Sequence, residues 1–440
     1  MGVFSKGIKL PKRLSSPVLR LLDLPLPDRV ILPLKSYTTN PPTPVVSVGE
    51  SVKKGQLIAE GTDSLPVHAT ISGKVVEITE RLDARGTRAE SVIIESDGND
   101  DSISPPKEKP VGAEQILKAI CDAGLIVKSM MPAPLDKDLV PLDQPKTHLY
   151  IDGKSVVKKT DTLIVNALDI EPSLGTNRYL AGTQNKYLSP GIDALKTVTG
   201  AQRTVFVTDT PSPQLEQIAK EDEQEMTSLV SVSSRHFPIA LPAVLLKTVL
   251  KKEIPLPYGH PRDIGAAIYD METVISAGEA VEKNTPQTHT FITIGGGAIS
   301  QHGIAQVRIG TPAGHIIEAL GGLKDSASKI IFGGPMTGIA HYGLDTPVTK
   351  DITGLFALTG DQIELTDNYT ECINCGMCVK VCPVNLVPGM LSMYCAKGSL
   401  EHAETEGILY CIECGCCDYV CPSRRPLLHM FRHAKQQLTE

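Results

Sequence analysis

The fold of the C-terminal part is decided by the stretch Cys372-Ile-Asn-Cys375-Gly-Met-Cys378-Val-Lys-Val-Cys382-Pro383, which recurs as Cys411-Ile-Glu-Cys414-Gly-Cys-Cys417-Asp-Tyr-Val-Cys421-Pro422. Both stretches have the spacing C-x2-C-x2-C-x3-C-P. Three cysteines spaced in this way lie on one tight turn, so their thiolates can hold three corners of a cubane while nearby backbone N–H groups face its sulfurs. The proline then ends the turn.

The fourth cysteine of each motif points away from the other three. In two-cluster ferredoxins this cysteine ligates the other cluster. The spacing therefore predicts two [4Fe-4S] clusters with exchanged fourth ligands. The first cluster is expected at Cys372, Cys375, Cys378 and Cys421, and the second cluster at Cys382, Cys411, Cys414 and Cys417.

Two other uses of the cysteines fit the spacing less well. Structural zinc sites usually take their ligands from two separated pairs of residues. That pattern does not explain why each of the two motifs has three clustered cysteines followed by a fourth. Disulfide frameworks are typical of small secreted domains, whereas this chain has 440 residues and all but one of its 11 cysteines lie at or after position 372. Cys121, Cys395 and Cys416 stay outside both ligand sets, and each is expected to be a small buried apolar residue.

Length and composition exclude several classes of protein. A length of 440 residues is compatible with about three or four domains. No run approaches the roughly 18 apolar residues of a membrane span, so membrane association is expected to be peripheral. The first residues, Met1-Gly-Val-Phe-Ser-Lys6, lack an apolar signal core, which predicts a cytoplasmic location. A formal charge of −7 and the absence of tryptophan argue against nucleic acid as a partner.

Residues 1–105 are expected to form a β-sandwich. Residues 45–59 and 67–76 resemble the two hairpin-like halves of lipoyl and biotinyl carrier domains, with glycines at tight turns. The lysine that such domains modify is missing, because no lysine lies between Gly61 and Gly73. A scaffold role is therefore predicted, and His68 is interpreted as a packed or hydrogen-bonded residue and not as a metal ligand.

A polar, proline-rich linker at residues 96–110 follows the sandwich. After this linker the sequence shows two different patterns of predicted helices and strands. A helical pattern at residues 113–124 and buried-strand runs at 161–167 and 203–209 predict a parallel, Rossmann-like layer. Beyond Pro255, strand, turn, strand and helix patterns predict a β-grasp module. Its glycine-rich stretch at residues 329–338 is read either as a structural turn or as a loop that cradles a phosphate.

These patterns predict an α/β multidomain fold. The domains are a carrier-like β-sandwich at residues 1–105, a Rossmann-like domain at 106–260, a β-grasp ligand-binding domain at 261–355 and an α-helical, ferredoxin-like domain with two clusters at 356–440.

Four short stretches of the sequence resemble stretches of a known protein family and occur in the same order. They are Phe4-Ser-Lys-Gly-Ile-Lys-Leu10, Gly310-Thr-Pro312, Gly333-Gly-Pro-Met336 and Pro347-Val-Thr-Lys350. With the sandwich and the cysteine motifs, they make the whole chain similar to the C subunit of the Rnf electron-transport complex. The resemblance implies a central domain like the flavin and NADH subunit of respiratory complex I. It also implies a peripheral subunit at the cytoplasmic face of the cell membrane, in a complex that couples electron transfer between ferredoxin and NAD to ion translocation.

The sequence departs from this family at the flavin and nicotinamide elements. The family's G-x-G-G-A-x-F-P loop is replaced by Ala123-Gly-Leu-Ile-Val-Lys-Ser-Met-Met-Pro-Ala-Pro134, whose side chains would obstruct the close backbone approach that a flavin needs. The N-G-A-E-C-E-P-Y element appears as Asn166-Ala-Leu-Asp169-Ile-Glu171-Pro-Ser173. The Y-P-x-G-x-E element appears as Phe237-Pro-Ile-Ala-Leu-Pro242.

Three functions are compatible with these observations. The leading hypothesis is an electron relay whose clusters pass electrons between a soluble carrier such as ferredoxin and the membrane subunits. In the alternative, FMN and NAD bind the central domain and contact Asn166, Asp169 and Glu171, which are otherwise interpreted as a strand-end turn with a capping acid. The third is a non-redox docking protein. Arg424 and Arg425 either face an acidic carrier or form a solvated basic pair.

Overall fold

A computed structural model describes residues 6–11, 17–34, 37, 40–62, 64–106, 108–129, 132–139, 150–151, 154–155, 160–363 and 369–439. Met1 to Ser5, which include the start of the N-terminal family stretch, lie outside these residues. Met130 and Met131 of the segment that replaces the glycine-rich loop also lie outside them. In these ranges no helix is long and apolar enough to cross a membrane.

The N-terminal part is a β-sandwich, as predicted. A four-stranded antiparallel sheet has the strand order Arg29–Pro33, Arg88–Ser96, Gly73–Leu82, Ser51–Val52, and a three-stranded sheet has the order Thr43–Pro44, Leu57–Glu60, Val67–His68. Apolar side chains from both sheets, including Val30, Ile58 and Ile94, form one buried core. Gly73 is required where the strands approach closely, because a Cβ there would lie 1.8 Å from the carbonyl oxygen of Glu95.

The central part is built on a four-stranded sheet whose strands are all parallel. The strand order is Thr227–Ser231, Arg203–Thr208, Thr162–Asn166, Ala266–Asp270. The accompanying helices are Gly112–Asp122, Leu135–Asp138, Thr176–Gly182, Leu188–Thr199, Pro213–Glu221, Pro242–Leu250 and Met271–Lys283, with a 3-10 helix at Pro261–Ile264. Helices on both faces explain why every residue of the strand Thr162–Asn166 is buried.

A six-stranded mixed sheet follows. Its strand order is Leu21–Leu22, Gly303–Arg308, His289–Gly295, Gly354–Thr359, Ala327–Phe332, Ile339–His341. The helix Ala313–Ala319 packs on it through Ile316 and Ile317, which belong to the same apolar core as Ile292 and Leu355. The order strand, turn, strand and helix agrees with the sequence pattern.

The C-terminal part is helical. Its helices are Met377–Val381, Pro388–Ala396, Leu400–Thr405, Cys416–Tyr419 and Leu427–Thr439, with 3-10 turns at Gly360–Gln362 and Ile408–Tyr410. Leu391, Ala403, Leu427 and Phe431 form its buried apolar centre. Several cysteines of both motifs pack against this centre, so the helices position the thiols.

Short strand pairs connect these parts. Ile8–Lys9 pairs with His236–Phe237 of the central part, and the Gly7 amide donates to the Val381 carbonyl at 2.9 Å. The N-terminal segment therefore contacts both the central and the C-terminal parts before the sandwich begins. Other antiparallel pairs are Ile126–Val127 with Ala133–Pro134, and Tyr150–Ile151 with Lys154–Ser155.

Candidate metal centre

The two cysteine loops share one backbone conformation. Left-handed residues occur at equivalent positions: Asn374 (φ 55°) and Gly376 (φ 70°) in the first loop, Glu413 (φ 55°) and Gly415 (φ 72°) in the second. Each glycine directly precedes a short helix, Met377–Val381 or Cys416–Tyr419. Glycine suits this conformation because it has no Cβ. The sequence repeat is therefore also a structural repeat.

The segment after each fourth cysteine repeats as well. Asn385 and Arg424 both have positive φ, of 62° and 53°. The Asn385 amide donates to the Cys382 carbonyl at 3.4 Å, and the Arg424 amide donates to the Cys421 carbonyl at 3.1 Å. The chain then enters the helix Pro388–Ala396 in the first copy and Leu427–Thr439 in the second. Leu386 in the first copy is thus equivalent to Arg425 in the second.

The structure brings Cys382 to the three cysteines of the second motif. Burial raises the pKa of the Cys417 thiol, and the neighbouring thiols of Cys411, Cys414 and Cys382 raise it further. Burial also raises the pKa of Cys382, and the Cys414 thiol adds to this effect. The pKa of Cys411 is raised to about 12, mainly by burial. The Cys382 thiol therefore lies near the three thiols of the other motif; Cys382 and Cys414 are buried, and Cys411 and Cys417 are partly buried.

The three cysteines that begin the first motif form another set. The pKa of Cys378 is raised by burial and by the thiols of Cys372 and Cys375. Gly389 lies between two of these sulfurs, since a Cβ there would be 3.5 Å from Cys372 Sγ and 3.7 Å from Cys378 Sγ. Cys421 packs against the same apolar cluster as Cys378, as do Cys411 and Cys417, so the grouping of Cys421 with the first set rests on the motif spacing.

Backbone amides donate to the sulfurs. The Leu386 amide lies 3.3 Å from Cys382 Sγ, and the Glu413 amide lies 3.4 Å from Cys411 Sγ. Donors of this kind lower the pKa of a thiol and stabilise a thiolate ligand. They oppose the effect of burial at the same two sulfurs.

The donor set fits iron–sulfur clusters. Buried thiols with raised pKa values become thiolates only beside a strong positive charge, which a bound metal supplies. A cubane takes one thiolate at each of its four iron corners, and each predicted ligand set has four cysteines. The Arg425 side chain is also buried, with its Nε lacking a hydrogen-bond partner, and an anionic cluster would supply an acceptor.

The two sets differ in exposure. Cys375 is exposed and its neighbour Ile373 is 66% exposed, so the first loop lies at the surface. Cys414 is buried in an apolar cluster with Phe237 and Leu241 of the central part. The first set therefore faces solvent, and the second faces the interior.

The three spare cysteines occupy different surroundings. Cys416 is buried in the same apolar cluster as Cys414, with its sulfur 3.9 Å from the Phe237 carbonyl oxygen. Cys395 is half-buried against the apolar centre of the C-terminal helices, and burial raises its pKa. Cys121 is half-buried on the helix Gly112–Asp122. The expectation of burial is thus met fully by Cys416 and partly by the other two.

Asp169 forms internal contacts. It accepts hydrogen bonds from the Asn177 amide at 2.9 Å and from Thr176 Oγ1 at 3.1 Å, and its ion pair with Arg178 Nε measures 3.0 Å. Burial raises the pKa of Asp169, although Arg178 opposes that shift. Asn166 is likewise engaged, because its side chain donates to the Ala240 carbonyl at 3.2 Å and accepts from the Leu168 amide.

Glu171 is held by the glycine-rich loop at residues 333–338. Its carboxylate accepts from the Met336 amide at 3.0 Å and from the Thr337 amide at 2.8 Å, and Thr337 Oγ1 also donates to it. A Cβ at Gly334 would lie 2.2 Å from this carboxylate, so glycine is needed for the approach. The loop does cradle an anion, as one interpretation of the sequence requires, but that anion is a side chain of the protein.

The residues at the flavin element do not fit a flavin. Lys128, in the segment that replaces the glycine-rich loop, donates to Glu272 at 2.6 Å and to Thr290 Oγ1 at 2.5 Å. Its side chain is 7% exposed. Lys128, Glu272, Asp169 and Asp270 line a cavity of only about 10 Å³, whereas small-molecule sites measure roughly 300–1,000 Å³.

Two larger cavities lie elsewhere. They measure about 270 and 450 Å³ and share His289 and Arg308. Lys54 of the sandwich lines one of them, and Asp100 lines the other. No described residue that lines them is a cysteine or one of Asn166, Asp169 and Glu171, so these cavities are separate from both candidate sites.

Sequence reasoning missed a buried cation where the β-sandwich, the central part and the part with the six-stranded sheet meet. Lys350 Nζ donates to the Gly124 carbonyl at 2.5 Å, and His68 Nδ1 is buried without a hydrogen-bond partner nearby. Burial lowers the pKa of Lys350 to about 8. Burial, together with Lys350, lowers the pKa of His68 to about 3. His68 is therefore packed and neutral, as expected, while the burial of Lys350 has no signal in the sequence.

We expect the stability of the protein to rise with pH between about 8 and 10 because of Lys350. Its folded-state pKa is below its unfolded value of about 10.4, so in this range the unfolded chain binds more protons. The free energy of unfolding should therefore increase by about 2 kcal/mol between pH 7 and 9.5 relative to the Lys350→Met variant. Anaerobic urea unfolding of both proteins measures this difference.

The matched control is Lys324→Met. Lys324 also donates to a backbone carbonyl, that of Gly297 at 2.8 Å, but at an exposed position. This variant should keep the pH dependence of the wild-type protein. The same pH dependence in Lys350→Met would contradict the assignment.

Two parts of the chain match known family models. Residues 3–99 match the model described as the RnfC barrel sandwich hybrid domain, and residues 365–387, which contain the first cysteine motif as far as Pro383, match a 4Fe-4S binding domain. The first of these matches confirms the predicted N-terminal sandwich.

Similar curated proteins extend over nearly the whole chain. The C subunit of the Na(+)-translocating ferredoxin:NAD(+) oxidoreductase complex of Acetobacterium woodii is 32% identical, over 99% of this chain and 97% of that protein. The C subunit of the proton-translocating ferredoxin:NAD(+) oxidoreductase complex of Clostridium ljungdahlii is 31% identical, over 87% of this chain and 82% of that protein. A solved NAD+-reducing [NiFe]-hydrogenase in the H2-reduced state aligns over 74% of this chain and 62% of its own chain, with 14% identity and a TM-score of 0.48.

Proposed function

This chain belongs to the family of Rnf complex C subunits, and from that premise we propose that it is an iron–sulfur electron-transfer subunit of an ion-translocating oxidoreductase complex. Two [4Fe-4S] clusters supply one-electron chemistry when bound. The observation that carries the proposal is the pair of cysteine loops with the same left-handed residues, together with the thiol of Cys382 beside those of the second loop.

The chain's own residues hold and tune the clusters. Cys372, Cys375, Cys378 and Cys421 hold the first cluster, and Cys382, Cys411, Cys414 and Cys417 hold the second. The amides of Leu386 and Glu413 donate to sulfurs of the second set, which stabilises its thiolates. The apolar surroundings of Cys414 exclude water. Electron transfer then needs positioning and a matched potential, with no general acid or base.

The domains take structural roles in this proposal. The sandwich at residues 1–105 is a scaffold, residues 106–260 form a Rossmann-like domain, residues 261–355 a β-grasp domain and residues 356–440 the two-cluster domain. The all-parallel sheet supports the Rossmann-like assignment, and the mixed sheet with its packed helix supports the β-grasp assignment.

The partners are a ferredoxin-like soluble carrier and the membrane subunits of the complex, on the cytoplasmic face. Exposure of Cys375 and Ile373 supports exchange of electrons with a partner through the first cluster. FMN and NAD are not part of the proposal, because Asn166, Asp169 and Glu171 are occupied by contacts within the chain.

The test is anaerobic reduction of the reconstituted chain by reduced ferredoxin, followed by visible absorbance and EPR. We expect a brown protein with two clusters that each take up one electron. A colourless protein that binds zinc, or a brown protein that reduced ferredoxin does not bleach, would contradict the proposal. The Cys395→Ala variant, which changes a cysteine outside both sets, should behave as wild type.

A further inference from the structure

The side chain of Arg425 is buried where the other copy of the repeat has leucine. Arg425 is 8% exposed, although its neighbour Arg424 is exposed. The Arg-Arg pair is therefore not a solvated pair, nor can both residues face a carrier. A buried guanidinium is costly unless an anion or several acceptors compensate it.

The protein leaves part of this guanidinium uncompensated. Arg425 Nε is buried and has no hydrogen-bond partner among the described groups. An unsatisfied buried donor costs more free energy on a charged group than on a neutral one. A missing acceptor at this place is the observation that needs an explanation.

The structural repeat makes Arg425 equivalent to a residue whose backbone contacts a cluster ligand. Its equivalent, Leu386, donates its backbone amide to Cys382 Sγ at 3.3 Å, four positions after that cysteine. Arg425 follows Cys421 by the same interval, through a segment with the same left-handed residue. The Thr370 amide also donates to the Ser423 carbonyl at 3.0 Å, so the chain just before Cys372 lies beside this segment.

We propose that the positive charge of Arg425 compensates the negative charge of the first cluster. It thereby holds the reduction potential of the first cluster above that of the second. The proposal rests on the proposed function, because it assigns Cys421 to the first cluster. Reduction adds one negative charge, and a buried positive charge nearby stabilises the reduced form. Leu386 gives the second cluster no such charge.

Charges around the second set are largely balanced. Glu413 pairs with Arg432 at 3.0 Å and with Lys435 at 2.9 Å. Asp418, next to the ligand Cys417 in the chain, accepts from the Leu428 amide at 2.9 Å, and its negative charge opposes the positive charges of Arg432 and Lys435. Lys6 is near Cys382, but its ammonium contacts Asn385 at the exposed surface, where water screens it. The first electron to enter the chain is therefore expected on the solvent-facing first cluster.

The test is an EPR-monitored redox titration of the full chain with both clusters bound. Arg425→Leu, which introduces the residue found at the equivalent position 386, should lower the reduction potential of the first cluster by at least about 59 mV. For one electron, this shift is a tenfold decrease in the equilibrium constant for reduction. The potential of the second cluster should stay unchanged. Arg425→Gln, which keeps an N–H donor but not the charge, should lower the first potential as well, and it carries the test if Arg425→Leu does not assemble.

The matched control is Arg424→Asn. It removes the same charge one residue away at an exposed position, and asparagine tolerates the φ of 53° there. Its two potentials should equal those of wild type, because solvent screens an exposed charge. Unchanged potentials in both Arg425 variants, or equal shifts of both clusters, would overturn the inference. A wild-type chain without two EPR-active clusters would instead overturn the proposed function.

Discussion

Replacing Cys382 with alanine is expected to remove the second cluster and leave the first one in place, although Cys382 belongs to the first motif. Wild-type protein with two [4Fe-4S] clusters carries about eight iron ions per chain, and the variant should carry about four. The reason is that the Cys382 thiol lies close enough to the thiols of the second motif for their charges to interact.

Four variants together decide whether the fourth ligands are exchanged. Cys382→Ala and Cys417→Ala should leave the same residual EPR spectrum, since both lose the second cluster. Cys421→Ala and Cys372→Ala should share the other residual spectrum. Cys395→Ala should keep all the iron. A residual spectrum of Cys382→Ala that matches Cys372→Ala would contradict the exchange and assign each motif to its own cluster.

Replacing Asp169 with alanine is expected to destabilise the protein by about 3–5 kcal/mol. In the variant the buried Arg178 guanidinium loses its carboxylate partner at 3.0 Å and keeps only the more distant Asp209, at 4.0 Å, and the Asn177 amide loses its acceptor. Removal of one member of a buried ion pair costs much more than removal of an exposed one. Denaturant unfolding under anaerobic conditions measures the change.

The control for this variant is Asp122→Ala. Asp122 pairs with Lys118 at 2.5 Å, but both side chains are mostly exposed, so the expected loss is at most about 1 kcal/mol. If Asp169 were instead a flavin or nicotinamide contact with little structural role, Asp169→Ala would be nearly as stable as Asp122→Ala. That result would contradict the structural assignment of Asp169.

The parts of the structure that depend on local pattern could be predicted from the sequence. The helix Gly112–Asp122 and the strand Thr162–Asn166 lie within one or two residues of their predicted bounds, because their apolar spacing is strong and a glycine or polar residue ends each pattern. The cysteine spacing predicted two similar loops, and both have glycine at the same left-handed position, Gly376 and Gly415.

The contacts between distant segments could not be predicted. Glu171 accepts a hydrogen bond from Thr337, which is 166 positions away in the sequence. The sequence of a glycine-rich loop does not show whether the loop binds a phosphate or a carboxylate of its own chain. Lys128 looked only like an obstruction, whereas it forms a buried ion pair with Glu272. Arg425 shows the same limit, because an Arg-Arg pair in sequence does not reveal which member is buried.

Electrons are expected to reach the clusters of this chain without a flavin or nicotinamide site. The most direct measurement adds NADH to the anaerobic, reconstituted protein, with and without FMN, and follows the visible absorbance of the clusters, with reduced ferredoxin as the comparison. We expect bleaching by reduced ferredoxin and none by NADH under either condition. Rapid bleaching by NADH would contradict the claim.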